Sequence, residues 1–348
     1  MRRSRLLLPL LLLAVAAVAG LYTAYWFVAA GRIRAAVMDW AEARRVAGYT
    51  VGWDGISVGG FPFAFRVSID APVLGDNRAQ PGWEARGARL VGEAKPWAPQ
   101  VWRLDAPRGG RVAVQPGPAR PAIVAEAASL SGTVAPARPA DPVPGALAVS
   151  LDGDSITITA DTTVRADRMH AGALLPAHDA ASHSDVWAAG ALRFEKLALP
   201  VPVRPLGAVI DSVDARLAVK GTVPDGRPLR DALAAWRDAG GTAEVEALRF
   251  AWGPAMAYAN GTLALDAAMQ PVGALTAVIE GYGDVVDALV AGGGVKPGDA
   301  QLAKLALGLL AKPGPDGRSQ LSVPVTLQEG QIYMGPAKLG KLPHFSWE

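Results

Sequence analysis

Few residues in this chain combine a reactive type with a spacing that could do chemistry. Gly55-Ile56-Ser57-Val58-Gly59 has the spacing G-x-S-x-G. In acyl hydrolases that pattern holds a serine on a sharp turn between a strand and a helix, with an acid and a histidine later in the chain. Asp179 and His183 stand in that order. After Ser57, however, come Gly59, Gly60 and a Pro-bearing apolar run rather than a helix. The match therefore reads as a glycine-rich turn, and hydrolysis at Ser57 is kept only as an alternative. His170, His178 and His183 lie close together with Asp179 and Asp185, and imidazole with carboxylate is a donor set that divalent metals take. Their spacings match neither an i, i+4 helical pair nor a finger, so a polar, mildly pH-sensitive loop is expected and no metal. Gly281-Tyr282-Gly283 and Gly292-Gly293-Gly294 complete neither phosphate-cradling pattern and read as turns and helix stops. Asn260-Gly261-Thr262 is a formal glycosylation sequon, but Asn-Gly is also the pair a tight hairpin turn wants, and a turn is expected.

No catalytic residue and no cofactor is therefore expected, and the signal lies in the elements. Of 348 residues 51% are hydrophobic and 19% charged, with 39 Gly and 28 Pro. That is too apolar for a disordered polyelectrolyte and suits many short elements joined by turns. Basic and acidic residues nearly cancel, at 34 against 32, which leaves too little charge to concentrate nucleic-acid phosphate. The absence of cysteine excludes disulfides and thiolate chemistry.

Behind Arg2, Arg3 and Arg5 the chain carries no charge from Leu6 to Ala30, about 25 residues where about 20 span hydrocarbon. Tyr22, Tyr25, Trp26 and Phe27 gather at the far end, where aromatic rings favour the headgroup level. Ala17-Val18-Ala19 could serve as a processing site, but the apolar stretch exceeds a signal peptide's core and a signal anchor fits better. The expected organisation is a spanning helix over 1–30, a juxtamembrane helix over 31–48 that prolongs it as a stalk, and a β-rich body over 49–348 with a soft division near 174–185. Arg32, Arg34, Arg44 and Arg45 rival the basic residues before the span. Orientation then rests on the short N-terminal tail, which puts the body in the periplasm of a single-pass inner-membrane protein.

Phe61, Phe63, Phe65, Val67 and Ile69 alternate with Pro62, Ala64, Arg66 and Ser68, the period of a strand with one apolar face. Pro62 places that strand at a sheet border. Alternating pieces follow at Trp83–Val91, Gln100–Leu104, Arg111–Gln115, Ile123–Val134, Ala146–Leu151 and Ser155–Val164, with Pro-rich loops at 116–121 and 136–144. A helix is predicted over Pro228–Ala239, stopped by Gly240-Gly241. Strands return at Ala243–Trp252, Ala255–Ala259, Gly261–Asp266 and Gly273–Glu280. Helical runs follow at Asp284–Val290 and Asp299–Leu310, and two strands over Gln320–Tyr333 turn at Glu329-Gly330. The predicted class is mainly β: a transmembrane helix, then a curved antiparallel sheet with a few inserted helices.

Ala235-Trp236-Arg237-Asp238-Ala239-Gly240-Gly241, Trp252-Gly253-Pro254, Asn260 to Asp266 and Gln270-Pro271-Val272-Gly273 resemble the Gram-negative family called domain of unknown function 2125. Trp53, Gly55 and Gly60-Phe61-Pro62-Phe63 near one end, and Gly330 with Gly335-Pro336 near the other, resemble the same family's termini. The resemblance covers about Tyr49 to Pro343; Asp167 to Asp185 fits it poorly. It implies a membrane-anchored envelope protein, loosely similar to AsmA-like proteins linked to lipid movement, and brings no catalytic or binding residue with it. The partners expected are then the membrane, a lipid or other hydrophobic ligand, and envelope proteins. The ligand would meet the sheet face of Phe61, Phe63, Phe65, Val67 and Ile69. A scaffold that docks partners at a sheet edge is the alternative.

Overall fold

The computed structural model describes residues 4–78, 82–116, 121–203, 206–224, 228–291, 298, 301, 304–305, 307–308, 311–313, 319–335, 337–345 and 347. Helix α1 (Ser4–Val46) runs without a break through residue 30, so stalk and span are one element. Gly31 is its only breaker there, and a single interior Gly costs a helix about 1 kcal/mol, too little to end it. Its stretch Leu10–Val46 is long and apolar enough to cross a membrane. Gly48, at positive φ, ends it.

The body is one antiparallel sheet that does not close. Its first half consists of six long strands, five of them interrupted near the middle and the sixth, β11, irregular at Ser155. These are β1 (Thr50–Gly52) with β2 (Gly55–Gly59), β3 (Phe65–Asp70) with β4 (Val73–Asp76), and β5 (Gly82–Gly87) with β6 (Arg89–Lys95). Then come β7 (Ala98–Ala106) with β8 (Gly110–Gln115), β9 (Ile123–Ala127) with β10 (Ser129–Pro136), and β11 (Leu147–Thr159). The interruptions fall in line. On one side the pairing runs β2–β3–β6–β7–β10–β11 and on the other β1–β4–β5–β8–β9–β11, in registers that carry across the line with little slip. Ala71, Gly109 and Ser155 take positive φ there. Such irregularities bend a strand and re-aim its continuation, and repeated on neighbouring strands they put a crease across the sheet.

The second half is regular. From β11 the sheet continues through β12 (Thr163–Leu175), β13 (Val186–Val203), β14 (Gly207–Lys220), β15 (Thr242–Trp252), β16 (Ala255–Leu265) and β17 (Pro271–Glu280). The short β18 (Lys312–Pro313) and then β19 (Ser319–Gln328), β20 (Gln331–Met334) and β21 (Ala337–Lys341) finish it, with β19 on β17. The loop over 176–185 joins two strands that pair directly, Leu174 opposite Ala189. Helix α2 (Leu229–Asp238) interrupts the β14–β15 connection, and its buried Trp236 donates from Nε1 to the Lys220 carbonyl at 2.8 Å. Helix α3 (Tyr282–Ala291) follows β17.

Register places carbon on one face throughout. Phe65 pairs with Ala94, Ala94 with Trp102, Trp102 with Val134 and Val134 with Val149. The same row continues through Ala173, Gly190, Leu217 and Val245 to Gly261, Leu275, Val325 and Met334. It crosses thirteen strands, roughly 55–60 Å at the usual strand spacing. The opposite face is polar: Arg66, Glu93, Arg103, Thr133 and Ser150 form the adjacent row.

Several expectations shift. The strand predicted from Phe61 begins at Phe65, because Phe63 and Ala64 turn their amides back to the Gly60 carbonyl and Pro62 has none to offer a ladder. That strand is interior, since Gly55–Gly59 forms β2 outside it. Trp83–Val91 is two strands meeting at Ala88, and 146–164 holds the long β11 and the start of β12. The helix predicted over Asp299–Leu310 falls largely outside the described residues. Asn260-Gly261 is no turn: β16 runs straight through it, and Gly253-Pro254 makes the hairpin instead. Gly261 is there for close approach, since a Cβ would sit 2.2 Å from the Ala274 carbonyl oxygen on β17. Gly261→Ala should therefore cost about 1–3 kcal/mol, as forced overpacking does, whereas Asn260→Ala on the exposed side should be nearly neutral. Thermal unfolding of the two variants checks this; equal losses would return the pair to a turn.

Candidate functional site

Helix α1 lays one stripe on the apolar face. Trp26, Ala30, Ile33, Val37 and Trp40 recur at helical spacing. At the lower end Trp26 stacks on Phe65 with ring centroids 5.6 Å apart and donates to the Ala64 carbonyl at 3.1 Å. Ala30 completes this core, with Ile33, Val58 and Trp102 packed around it. Farther up, the helix and sheet separate. A groove of about 420 Å³ opens between Ile33, Val37 and Trp40 on one side and Val67, Leu90, Trp102 and Leu104 on the other.

Val37, Trp40, Ile69 and Leu90 also line a second space, about 430 Å³, in the angle of the crease. Ile69, Leu130 and Leu151 line it from one half of the sheet, Val51, Leu74, Ala85 and Val112 from the other, and Ile156 and Met169 from β11 and β12. Each volume lies in the range of roughly 300–1,000 Å³ found for small-molecule sites. The walls are almost wholly carbon. Arg86 and Arg111 border the space but alternate with Ala85 and Val112 along their strands, and Arg86 pairs with Glu84 at 2.6 Å.

The top of α1 is held by a clasp. Arg78 donates to the Ala47 carbonyl at the helix end and to Asp76 Oδ1 and Oδ2 at 2.9 and 2.7 Å, and lies 4.0 Å over the Tyr49 ring. Hydrogen bonds from Arg78 hold the Asp76 carboxyl down at about 2. Other shifts belong to exposed ion pairs: Glu84 is lowered by Arg86, Glu93 by Lys95 and Arg66, and Asp211 by Lys196. These secure ladders; none is a lone carboxyl or amine aimed into the cavity.

The residues singled out by chemistry do not converge. Ser57 is mid-strand in β2, exposed and opposite Ser68, so the elbow that would activate a serine is not formed. His170 sits on the polar face, its Nδ1 2.7 Å from Asp152. His183 lies beside Gly221 and Gly240 near the end of α2. His178 is in the exposed loop between β12 and β13. Among the described residues no three groups of metal-ligating type come together. Gly281 turns the chain into α3, and Gly292-Gly293-Gly294 lie outside the described residues. Of the five residues expected to face a ligand, Ile69 and Val67 line the spaces, Phe65 is sealed under Trp26 at 1% exposure, and Phe61 and Phe63 belong to the hairpin turn. Leu74 and Val112 escape a reading by motif; the continuation of alternation past Ala71-Pro72 and Gly109-Gly110 is the signal that marks them, as helical spacing marks Trp40.

The profile of one family matches residues 26–343. The chain belongs to the family described as uncharacterized protein conserved in bacteria (DUF2125). No curated protein and no solved structure matches it. The DUF2125 match begins at Trp26, the residue with which α1 first packs into the buried core, and so takes in the wall-forming half of the helix together with the sheet.

Both the hollow and the clasp can be tested by substitution. Leucine at Ala85 projects into existing space and should cost no more than about 0.5 kcal/mol, while leucine at Ala94, 2% exposed, should cost about 1–3 kcal/mol; chemical denaturation distinguishes them. A carboxyl NMR titration should place Asp76 near 2 and return it toward the ordinary aspartate value in Arg78→Ala. Because the folded value is depressed, the clasp is at full strength above the ordinary value and is lost as pH falls through about 2. A wild-type midpoint at the ordinary value would dissolve the clasp.

Proposed function

We propose that this protein is a single-pass inner-membrane protein whose periplasmic body binds or guides a hydrophobic envelope ligand, an acyl chain of a lipid. The observation that carries the reading is the carbon-walled space at the crease, which shares Val37, Trp40, Ile69 and Leu90 with the groove along α1. A dry apolar site gains about 0.8 kcal/mol for each methylene it takes from water, so an alkyl chain of about ten carbons is held without a charged anchor. The role is non-enzymatic, and the membrane and its lipids are the partners.

The scaffold alternative has an edge to work with, since β21 pairs only with β20 among the described residues. That edge carries exposed Lys338 and Lys341, and lysine on an edge strand discourages strand addition. The lipid reading is therefore preferred.

The test uses the full chain in lipid discs with a photoreactive palmitoyl lipid. Cross-links are expected on peptides containing Leu74, Val112 and Met169, and filling the space with Ala85→Phe and Ala125→Phe should lower their yield about fivefold or more. Cross-links confined to Leu10–Val28 of the anchor, unchanged by the substitutions, would sink the proposal.

A further inference from the structure

The lower tips of two hairpins carry large aromatic side chains that remain exposed. In the turn between β2 and β3, Phe63 is 70% exposed and Phe61 46%; in the turn between β6 and β7, Trp97 is 68% exposed. Both tips are fixed to α1 at nearly the same height. Tyr22 donates from its hydroxyl to the Pro62 carbonyl, and Tyr25 donates to the Pro96 carbonyl at 3.0 Å. Phe61 is further held between Trp26, edge-on at 5.5 Å, and Phe27, stacked at 5.7 Å.

That height has a meaning along the helix. The uncharged run starts at Leu6, and about 20 residues of helix cross the hydrocarbon, which brings the far boundary to the neighbourhood of Tyr25. The two tips are thus tied to the helix where hydrocarbon gives way to headgroups. Aromatic rings gain from that layer, since it takes an apolar body while leaving a polar edge wet. Lys95, next to Pro96-Trp97, has a stem that can follow and an ammonium that pairs with Glu93 at 2.9 Å above the tip. The next tip on the same side of the sheet, between β10 and β11, carries Arg138 and Asp141 and no aromatic ring. Farther along, Phe345 and Trp347 stack beside the β16–β17 turn, but of the aromatic-bearing tips only the first two are tied to α1 among the described residues.

We infer that Phe61, Phe63 and Trp97 seat the lower edge of the sheet in the headgroup–acyl boundary of the bilayer, in the leaflet on the side of the folded body. The partner is the lipid surface itself. The seat sets the start of the apolar face, at Phe65 and Val67, just above the hydrocarbon boundary, so an alkyl chain leaving that leaflet has only the headgroup layer between it and the carbon face. The inference rests on α1 crossing the membrane, as proposed above, and on no ligand in the groove.

The native chain has no cysteine, so single-cysteine variants can be spin-labelled in the full chain without background. Phe63→Cys and Trp97→Cys, in phosphatidylcholine discs, would be compared with Leu13→Cys inside the span and Val201→Cys, 67% exposed at the far end of the sheet. Collision with oxygen, which concentrates in lipid, is measured against collision with a water-soluble nickel complex. Labels at 63 and 97 should favour oxygen severalfold more than the label at 201, and less than the label at 13. Values at 63 and 97 equal to those at 201, with 13 reading deep, would overturn the seat and leave the anchor standing; a water-like reading at 13 would remove both. The unsubstituted chain supplies an independent check. A lipid carrying a diazirine beside its glycerol should label peptides containing Phe61–Phe63 and Pro96-Trp97 but not Leu199–Val203, and the reverse pattern would likewise end the proposal.

Discussion

A long antiparallel sheet with one carbon face must keep that face from water, and this chain has little helix with which to do so. Fully burying a Val, Leu, Ile or Phe side chain is worth about 1.5–3 kcal/mol, whereas the exposed ladder pairs such as Arg66 with Glu93 contribute about 0–1 kcal/mol each. Apolar burial therefore decides the architecture and the ion pairs only trim it. Burial is incomplete. Leu151, Leu192, Leu217 and Leu248, all on the carbon face at the centre of the sheet, remain between 37% and 43% exposed. A face in that state is part core and part binding surface.

Helix α1 answers the constraint at one end. Its lower turns close on Phe65 and make a true core, and its upper turns stand off the sheet and leave a groove. The difference lies in size and fit. Trp26 stacks flat on Phe65 and gives its indole hydrogen to a backbone carbonyl, which fixes helix and strand at that height. Higher up, Gly92 lies opposite Val67 and Leu104 in the sheet, and the helix offers Ala36 and Val37, so the sum of side chains does not fill the gap. One helix thus carries both the run long and apolar enough to cross a membrane and the wall of the groove, which makes the position of one relative to the other a fixed property of the fold.

Much of this was legible from sequence, and the reasons are physical. The long first helix was evident because an uncharged run of that length is enough to cross hydrocarbon. The strands after Ile123 were evident because one face is carbon and the other carries Arg, Asp and Glu, so period two is strong. Alternation failed at Phe61 and Phe63, where it persists by accident through a turn, and period alone cannot tell a strand from a turn that happens to match it. The Asn260-Gly261 pair misled for the opposite reason: local turn chemistry was real, but close packing of β16 on β17 needed the glycine more. The crease was invisible because it is an alignment between interruptions such as Ala71, Gly109 and Ser155, which only pairing brings into line.

That alignment explains why the space lies where it does. On a flat sheet, side chains of one face stand roughly parallel and a partner layer can fill between them; across a crease they converge from two directions, and full-length chains would collide. The sequence meets this with small residues, Ala85, Ala106, Gly110, Ala125 and Ala127, interspersed among the larger Leu74, Leu90, Leu130 and Ile156 around the line. The small residues prevent the collision and, for the same reason, cannot fill the centre. A bend on an apolar face therefore produces a carbon-walled hollow as its by-product, and because α1 crosses the angle through Val37 and Trp40, helix and sheet together wall it.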